Sequence, residues 1–417
     1  MVLGMNTIIT SLKFLLQPSW ANGTDMVQAY ERAFSQTIVG SDVPALSFGQ
    51  GRVALWTILR AAGVTKQTEV LLPAYTCETV PMAVKFAGAK CVYVDVEQGQ
   101  FNASVRCIAD AFTDQTKIVI CQHTYGIIQP VKKMILLAKR KQAILIEDRC
   151  HLIQNDFGQE DTLTLGHAAV FSTHYNKPFS TGQGGMAIFG DHKLYSKAKN
   201  IRCKFAQTDA QQRGSSLALQ MLLYNLAVRP TTRTPIANMY RRAQRSGFIH
   251  GTISVEEYGE TMPSDYLLAA TNFHAIFGIA QLHKWDINSQ HRQHLTRFYI
   301  EQLSLLGVDV SPLMVGSANP ILLSIPVLVK NKQEILRRAA KKGLPIACWF
   351  DRMPAHICPS TAYRYDYRPG QCPRTEKLIS KEIHLLTAPC VTLRQAIRAI
   401  GLIKRYAHLA VVSPKLG

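Results

Sequence analysis
A chain of 417 residues, 47% of them hydrophobic, can bury the cores of two or three domains, which excludes a disordered polymer. The formal net charge of +19 asks for an acidic partner. The basic residues are spread along the chain, with no zinc-finger spacing and no RNP-like aromatic motif, so nucleic acid is set aside, leaving phosphate-bearing small molecules or an anionic membrane surface.

In chain order, residues 1–44 form an N-terminal segment. Its apolar run TIITSLKFLL is interrupted by Lys13, and no small-residue cleavage site follows, so it does not read as a secretory signal. The uncharged stretch of residues 214–228 is too short to span a bilayer. The ten cysteines are scattered without a CxxC pair or metal-type clustering with histidine, which fits reduced thiols in a cytoplasmic protein.

Residues 45–205 alternate short apolar runs with helical periodicity. Strands are expected at EVLLPA (69–74), CVYVDV (91–96), KIVICQ (117–122), AILIED (143–148), AAVFS (168–172) and GMAIFG (185–190). Helical pieces lie between the early ones, at 52–63, 78–89 and 130–142. Continuous apolar strands separated by helices predict an α/β fold with a mostly parallel sheet buried on both faces.

Residues 206–262 break this rhythm as an insert. SLALQMLLYNLAV (216–228) predicts an apolar helix, followed by the basic, proline-punctuated RPTTRTPIANMYRRAQR (229–245). Two readings stand: a buried helix with a solvated loop, or a surface helix making peripheral contact with the inner face of a membrane, its arginines on lipid head groups. Residues 263–417 mix helical patterns with the strand-like ILLSIPVLV (321–329), predicting a smaller C-terminal α+β domain.

In such sheets ligands bind beyond the carboxyl ends of the strands. Those ends present His123 in CQHTYG, Asp148 and His151 in IEDRCH, and Ser172 and Lys177 in FSTHYNK. A lysine after a buried strand is an ordinary surface amine or, where the site lowers its pKa, a Schiff-base former. Pyridoxal phosphate is the commonest cofactor held that way. It needs a carboxylate for its pyridine nitrogen, donors for its phosphate, and a group against its ring. Asp148 meets the first need, or else caps the next helix. Gly49 and Gly51 in FGQGRVALW precede a helix whose free N–H groups suit a phosphate, and Ser172 adds a hydroxyl. His123, Tyr75 and Tyr125 are the candidates for the ring, and the sequence does not choose among them.

The ordered runs LLPAYTCETVPMAVKFAGAKCVYVDVE, HTYG, LIEDRCH and FSTHYNKPFSTGQGGMAIF, with FHAIFGIAQLHKWD, GLPIACWFD and YRPGQCPRTEKLI further on, resemble the sugar aminotransferases of the DegT/DnrJ/EryC1/StrS family. The resemblance covers residues 45–205 and 263–410. It implies the aspartate-aminotransferase-like fold of pyridoxal-phosphate enzymes, with a seven-stranded sheet in the large domain.

By that resemblance Lys177 would hold the cofactor and shuttle the proton, and Asp148 would pair with the pyridine nitrogen. Ser172 and the Gly51–Arg52 backbone would hold the phosphate. The reaction implied is amino transfer, usually from glutamate, to a keto sugar on a nucleoside diphosphate for polysaccharide or related glycan synthesis, by a homodimer with shared active sites. A branch with histidine at the Schiff-base position dehydrates its substrate instead; lysine here favours transamination.

Four positions depart from the family pattern. His151 stands for glutamine, Arg52 for a small hydroxyl residue, Cys77 for an aromatic residue, and YLLAA from Tyr266 for a Tyr-Asn-Tyr-Arg block. Arg52 could neutralise phosphate and His151 could hydrogen-bond the cofactor's phenolic oxygen. Cys77 would stack poorly, which moves ring coverage toward Tyr75 or His123. A non-sugar substrate, or a silent polyanion-binding protein on the same fold, are the rival expectations.

Overall fold
The apolar runs of residues 45–189 assemble into one sheet: β1 (Ala45–Phe48), β2 (Glu69–Pro73), β3 (Lys90–Val94), β4 (Thr116–Gln122), β5 (Ile144–Asp148), β6 (Ala168–Ser172) and β7 (Gly185–Phe189). This is a computed structural model, which describes residues 5–16, 25–153, 166–205, 210–227, 258–259, 261–263, 265–354 and 357–409. The strand order is β1-β7-β6-β5-β4-β2-β3, with β7 antiparallel to β1 and β6 and the other pairs parallel. Six of these strands fall within a residue or two of the runs expected from sequence. β1 was not anticipated, because four consecutive buried residues carry no periodicity.

Both faces of the sheet are covered, and the two-residue period of a strand sorts its side chains between them. On one face Leu72, Ile120, Ile146 and Val170 join the cluster of α3 (Gly51–Ala61) and α4 (Thr79–Ala87). On the other, Leu71, Val119 and Leu145 meet α6 (Val131–Arg140), whose neighbour is the short α5 (Val105–Asp110). Ala169, Phe171, Met186 and Ile188 meet α2 (Asp25–Phe34) on that second face. The same alternation puts Asp148 and Ser172 on the α3 side and Glu147 on the opposite side.

After β7, α7 (His192–Arg202) packs on α3. The apolar helix expected in the insert is present as α8 (Ala210–Ala227). Its Leu217, Ala218 and Met221 are buried against Phe14 of α1 (Met5–Leu16) and Phe273 and Phe277 of α9 (Asn272–Leu282). The arginine-rich stretch 229–245 lies outside the described residues. No helix among the described residues is long and apolar enough to cross a membrane.

The C-terminal part carries an antiparallel sheet, β8-β10-β9 (Ser324–Leu328, Glu382–Leu386, Ile346–Ala347), and α10 (Trp285–Leu305), α11 (Lys332–Lys341), α12 (Pro373–Lys381) and α13 (Leu393–Tyr406). Polar ties fasten it to the large sheet. Asp366 accepts from Lys85 Nζ at 2.9 Å and from the Cys91 N–H, Asp95 accepts from Thr375 Oγ1 at 2.6 Å, and Tyr125 O accepts from the Leu323 N–H. These ties carry the segment before α12 and the Trp349–Phe350 turn over the strand ends of the large sheet.

Candidate active site
A cavity of about 370 Å³ opens at the carboxyl ends of β5 and β6, beside the first turn of α3. Seven of the nine site residues expected from sequence line it: Gly51, Arg52, Cys77, Asp148, His151, Ser172 and Lys177.

The α3 end is shaped for an anion. Gln50 at the N-cap is extended and makes no side-chain capping bond, so no capping side chain occupies the start of α3. Two glycines let this turn approach the sheet. A Cβ on Gly51 would stand 3.0 Å from the Ser172 Cβ, and a Cβ on Gly185 would stand 2.6 Å from the Gly51 nitrogen. Arg52 adds a fixed cation, its guanidinium lying 5.5 Å over the ring of Tyr266. The divergent stretch around Tyr266 thus braces the arginine that itself departs from the family pattern.

Asp148 ends β5 on the α3 side, 6% exposed, with Oδ1 accepting the Cys150 N–H at 3.0 Å. Lys177 sits on the loop after β6, where its N–H donates to His174 O at 3.0 Å. Thr173 and Thr181, bonded through their hydroxyls at 2.7 Å, close the base of that loop.

His151 accepts the Tyr125 N–H on Nδ1 at 3.2 Å. Burial, with Lys177 and His384 nearby, holds its pKa well below the ordinary value, so the ring is neutral and its proton resides on Nε2. Burial, Lys177 and Arg52 lower His174 to about 3, and its Nε2 is shielded from solvent without a hydrogen-bond partner among the described residues. Burial and Glu78 push the Cys77 thiol up to about 12, and burial with Asp148 raises Cys150, so neither thiol is a nucleophile at neutral pH.

Two expected residues are not brought to the cavity. Gln122 and His123 are neighbours in a period of two, and it is Gln122 that faces the cavity. His123 turns to the opposite side. Its Nδ1 accepts the Gln129 N–H and its Nε2 lies 3.3 Å from Glu147 Oε2, which also pairs with Arg149 at 2.9 Å. This fully buried triad lies on the α6 side of the sheet. Tyr75 is also fully buried, its hydroxyl 2.5 Å from that of Tyr125, which donates to Glu382 Oε1 at 2.7 Å. Tyr75, His123 and Tyr125 are therefore not among the residues that line the cavity.

The ring-bearing side chains that do line the cavity are His151, His174, Trp349 and Phe350. Trp349 stacks on Tyr125, with centroids 5.1 Å apart, and lies 4.6 Å from His151. Sequence reasoning missed Glu78, His174 and Trp349 as site residues. A histidine three residues before the candidate lysine was the available signal for His174; nothing local marked the other two.

The chain matches the DegT/DnrJ/EryC1/StrS aminotransferase family over residues 4–227 and 241–404. It belongs to that family. An uncharacterized protein of Methanocaldococcus jannaschii, MJ1066, is 23% identical over 96% of this chain and 94% of its own length. The GDP-perosamine synthase of Escherichia coli O157:H7 is 28% identical over 45% of this chain and 51% of its own length, so the chain spans about half of that relative. Among solved structures, an aminotransferase from Psychrobacter cryohalolentis superposes with a TM-score of 0.72 at 19% identity, over 96% of each chain. NtdA of Bacillus subtilis, solved with its cofactor PMP bound, gives 0.68 at 19% identity over 96% of this chain and 82% of its own.

This DegT/DnrJ/EryC1/StrS member is thus an aminotransferase with the fold of pyridoxal-phosphate enzymes, and pyridoxal phosphate is the cofactor of that class. Its residues fit the group: an uncapped helix start, a hydroxyl and a guanidinium for the phosphate, a carboxylate for the pyridine nitrogen, and an amine on the same cavity. Among the described residues no cluster of three metal-ligating side chains competes for the role.

Proposed function
We propose that this aminotransferase moves an amino group, with glutamate as donor, onto a keto sugar linked to a nucleoside diphosphate, for polysaccharide or related glycan synthesis, as a cytoplasmic homodimer. The observation that carries the reading is the convergence of Lys177 and Asp148 with the α3 start, Ser172 and Arg52 on one cavity. The names of relatives such as GDP-perosamine synthase supply the sugar class.

Bound pyridoxal phosphate supplies an electron sink that lets a C–H bond beside an amine nitrogen ionise. The protein's part is to place and charge the groups around it. Arg52, Ser172 and the backbone at the start of α3 would hold the phosphate. The Asp148 carboxylate would keep positive charge on the pyridine nitrogen. His151, neutral with its proton on Nε2, would donate to the phenolic oxygen. Lys177 Nζ, once released as a free amine, would take the proton from the donor carbon and return it elsewhere, the work of a positioned base. Trp349 and Phe350 would exclude water from that transfer.

The test is visible absorbance of the protein reconstituted with pyridoxal phosphate, before and after borohydride, in wild type and Lys177→Ala. The expected result is a reducible band in the wild type alone, with the pyridoxyl mass fixed on Lys177. Glutamate should then bleach the band, and a nucleoside-diphosphate keto sugar should restore it. A band unchanged in Lys177→Ala would overturn the site, and restoration by non-sugar carbonyls alone would overturn the substrate class.

A further inference from the structure
Four charged side chains line the cavity: Arg52, Lys177, Asp148 and Glu78. The first three have tasks in holding and working the cofactor, and Glu78 has none. It is 5% exposed, and its one hydrogen bond among the described residues comes from the Cys77 thiol, at 3.2 Å from Oε2. A thiol is a weak donor, while a carboxylate has room for about four hydrogen bonds. Helix capping does not explain the burial, because Glu78 occupies the N-cap of α4 without a side-chain capping bond. Gln122, on the same cavity, shows the contrast. Its amide nitrogen donates to Tyr75 O and Thr124 Oγ1, and its oxygen accepts from Thr76 Oγ1 at 2.6 Å, so three of its four hydrogen-bonding sites are used within the protein.

A buried carboxylate so poorly satisfied is expected to receive donors from what enters the cavity. Two substrates use that space in turn in a ping-pong amino transfer. Glutamate brings two carboxylates, which Glu78 repels. The acceptor of the proposed function carries its charge on the diphosphate, while its sugar ring is neutral and rich in hydroxyl donors.

We propose that Glu78 is a specificity-determining residue for the acceptor, its carboxylate accepting hydrogen bonds from the sugar-ring hydroxyls beside the apolar wall of Trp349 and Phe350. This rests on the nucleotide-sugar reading above. It assigns the part of the cavity beside Glu78 to the sugar and predicts that the two halves of the reaction depend on Glu78 unequally.

The experiment compares wild type, Glu78→Gln and Glu78→Asp in the separated half-reactions, following the visible band as glutamate bleaches it and as each of a panel of nucleoside-diphosphate keto sugars restores it. Binding of the unreactive probes GDP-mannose and UDP-glucose is measured in parallel by calorimetry. In Glu78→Gln, kcat/KM for the sugar half should fall about 10- to 100-fold, the size of a lost hydrogen bond to a charged group. The glutamate half should hold or rise, probe binding should weaken with the sugar half, and Glu78→Asp should recover part of it. Equal losses in both halves, or an unchanged sugar half, would overturn the assignment. A wild type that glutamate bleaches but no nucleotide sugar restores would overturn the nucleotide-sugar reading, and the role of Glu78 with it.

Discussion
The floor of the cavity and its outer wall draw on different parts of the chain. The floor is local: Asp148 ends β5, Ser172 ends the adjacent strand β6, and Lys177 follows within the next loop, with the α3 turn pressed against them through Gly51 and Gly185. The outer wall joins Cys77 and Glu78, before α4, to Trp349 and Phe350, from the segment between β9 and α12. The floor holds the groups to which the proposed function gives the cofactor. The wall holds groups that the cofactor leaves unassigned, so substrate choice can change there without disturbing the floor.

The two faces of the sheet sharpen the contrast, because adjacent residues do unrelated work. Glu147 and Asp148 are neighbours, yet Glu147 is locked into the triad with Arg149 and His123. Burial pushes its carboxyl up, and Arg149 and His123 outweigh that to hold it below the ordinary value. Glu147→Leu takes the carboxylate away from the buried Arg149 guanidinium and should destabilise the fold by about 3–5 kcal/mol in urea unfolding. The protein that remains folded should still form the reducible band; its loss there would break the separation of the faces.

Asp148→Asn should do the reverse. Amino transfer should drop about 10²- to 10³-fold, as for removal of one electrostatic stabiliser, while the melting temperature stays within a few degrees. A comparable loss of stability would make Asp148 a structural capping residue instead.

Tyr125 tests the border between site and core. Tyr125→Phe removes the hydroxyl between Tyr75 and Glu382 and should lower stability by about 1–3 kcal/mol. The backbone N–H that orients His151 is kept, so both half-reactions should be unaffected. A selective loss in either half would mean that the hydroxyl network reaches the substrate.

The smallest effect is a slope. His174 and His274, lowered to about 3 and about 4 chiefly by burial, and His151, also well below its ordinary value, stay neutral when folded, while the unfolded chain protonates them from about pH 6.5 downward. The unfolded state then binds more protons, so stability falls as pH drops below about 6.5. Melting temperatures from pH 7.5 to 4.5 should trace the decline, and His174→Gln should flatten it.

Much of the floor was legible before any fold was built. Runs such as AILIED and AAVFS end in the polar residues that a parallel sheet presents to ligands, and the lysine and the glycine pair stand at spacings that local chain geometry fixes. Strands buried on both faces, however, are apolar on both, so the pattern around KIVICQH does not say whether Gln122 or His123 looks toward α3. That choice waits for the helices to pack. Candidates for ring coverage were likewise chosen from nearness to strand ends, and Tyr75 and His123 do not reach the cavity because they are drawn to other partners, Tyr125 and Glu147.

By itself the sequence determined the strands from β2 to β7, the side of the sheet where the cavity opens, and the lysine, carboxylate and glycine turn that meet there, because each depends on contacts between neighbours in the chain. The tertiary structure alone decided that β1 joins the sheet beside β7, that Tyr266 braces Arg52, and that Glu78 shares a cavity with Trp349. Those contacts join segments far apart in sequence, and only the packing of α9 and of the small sheet against the large one brings them together.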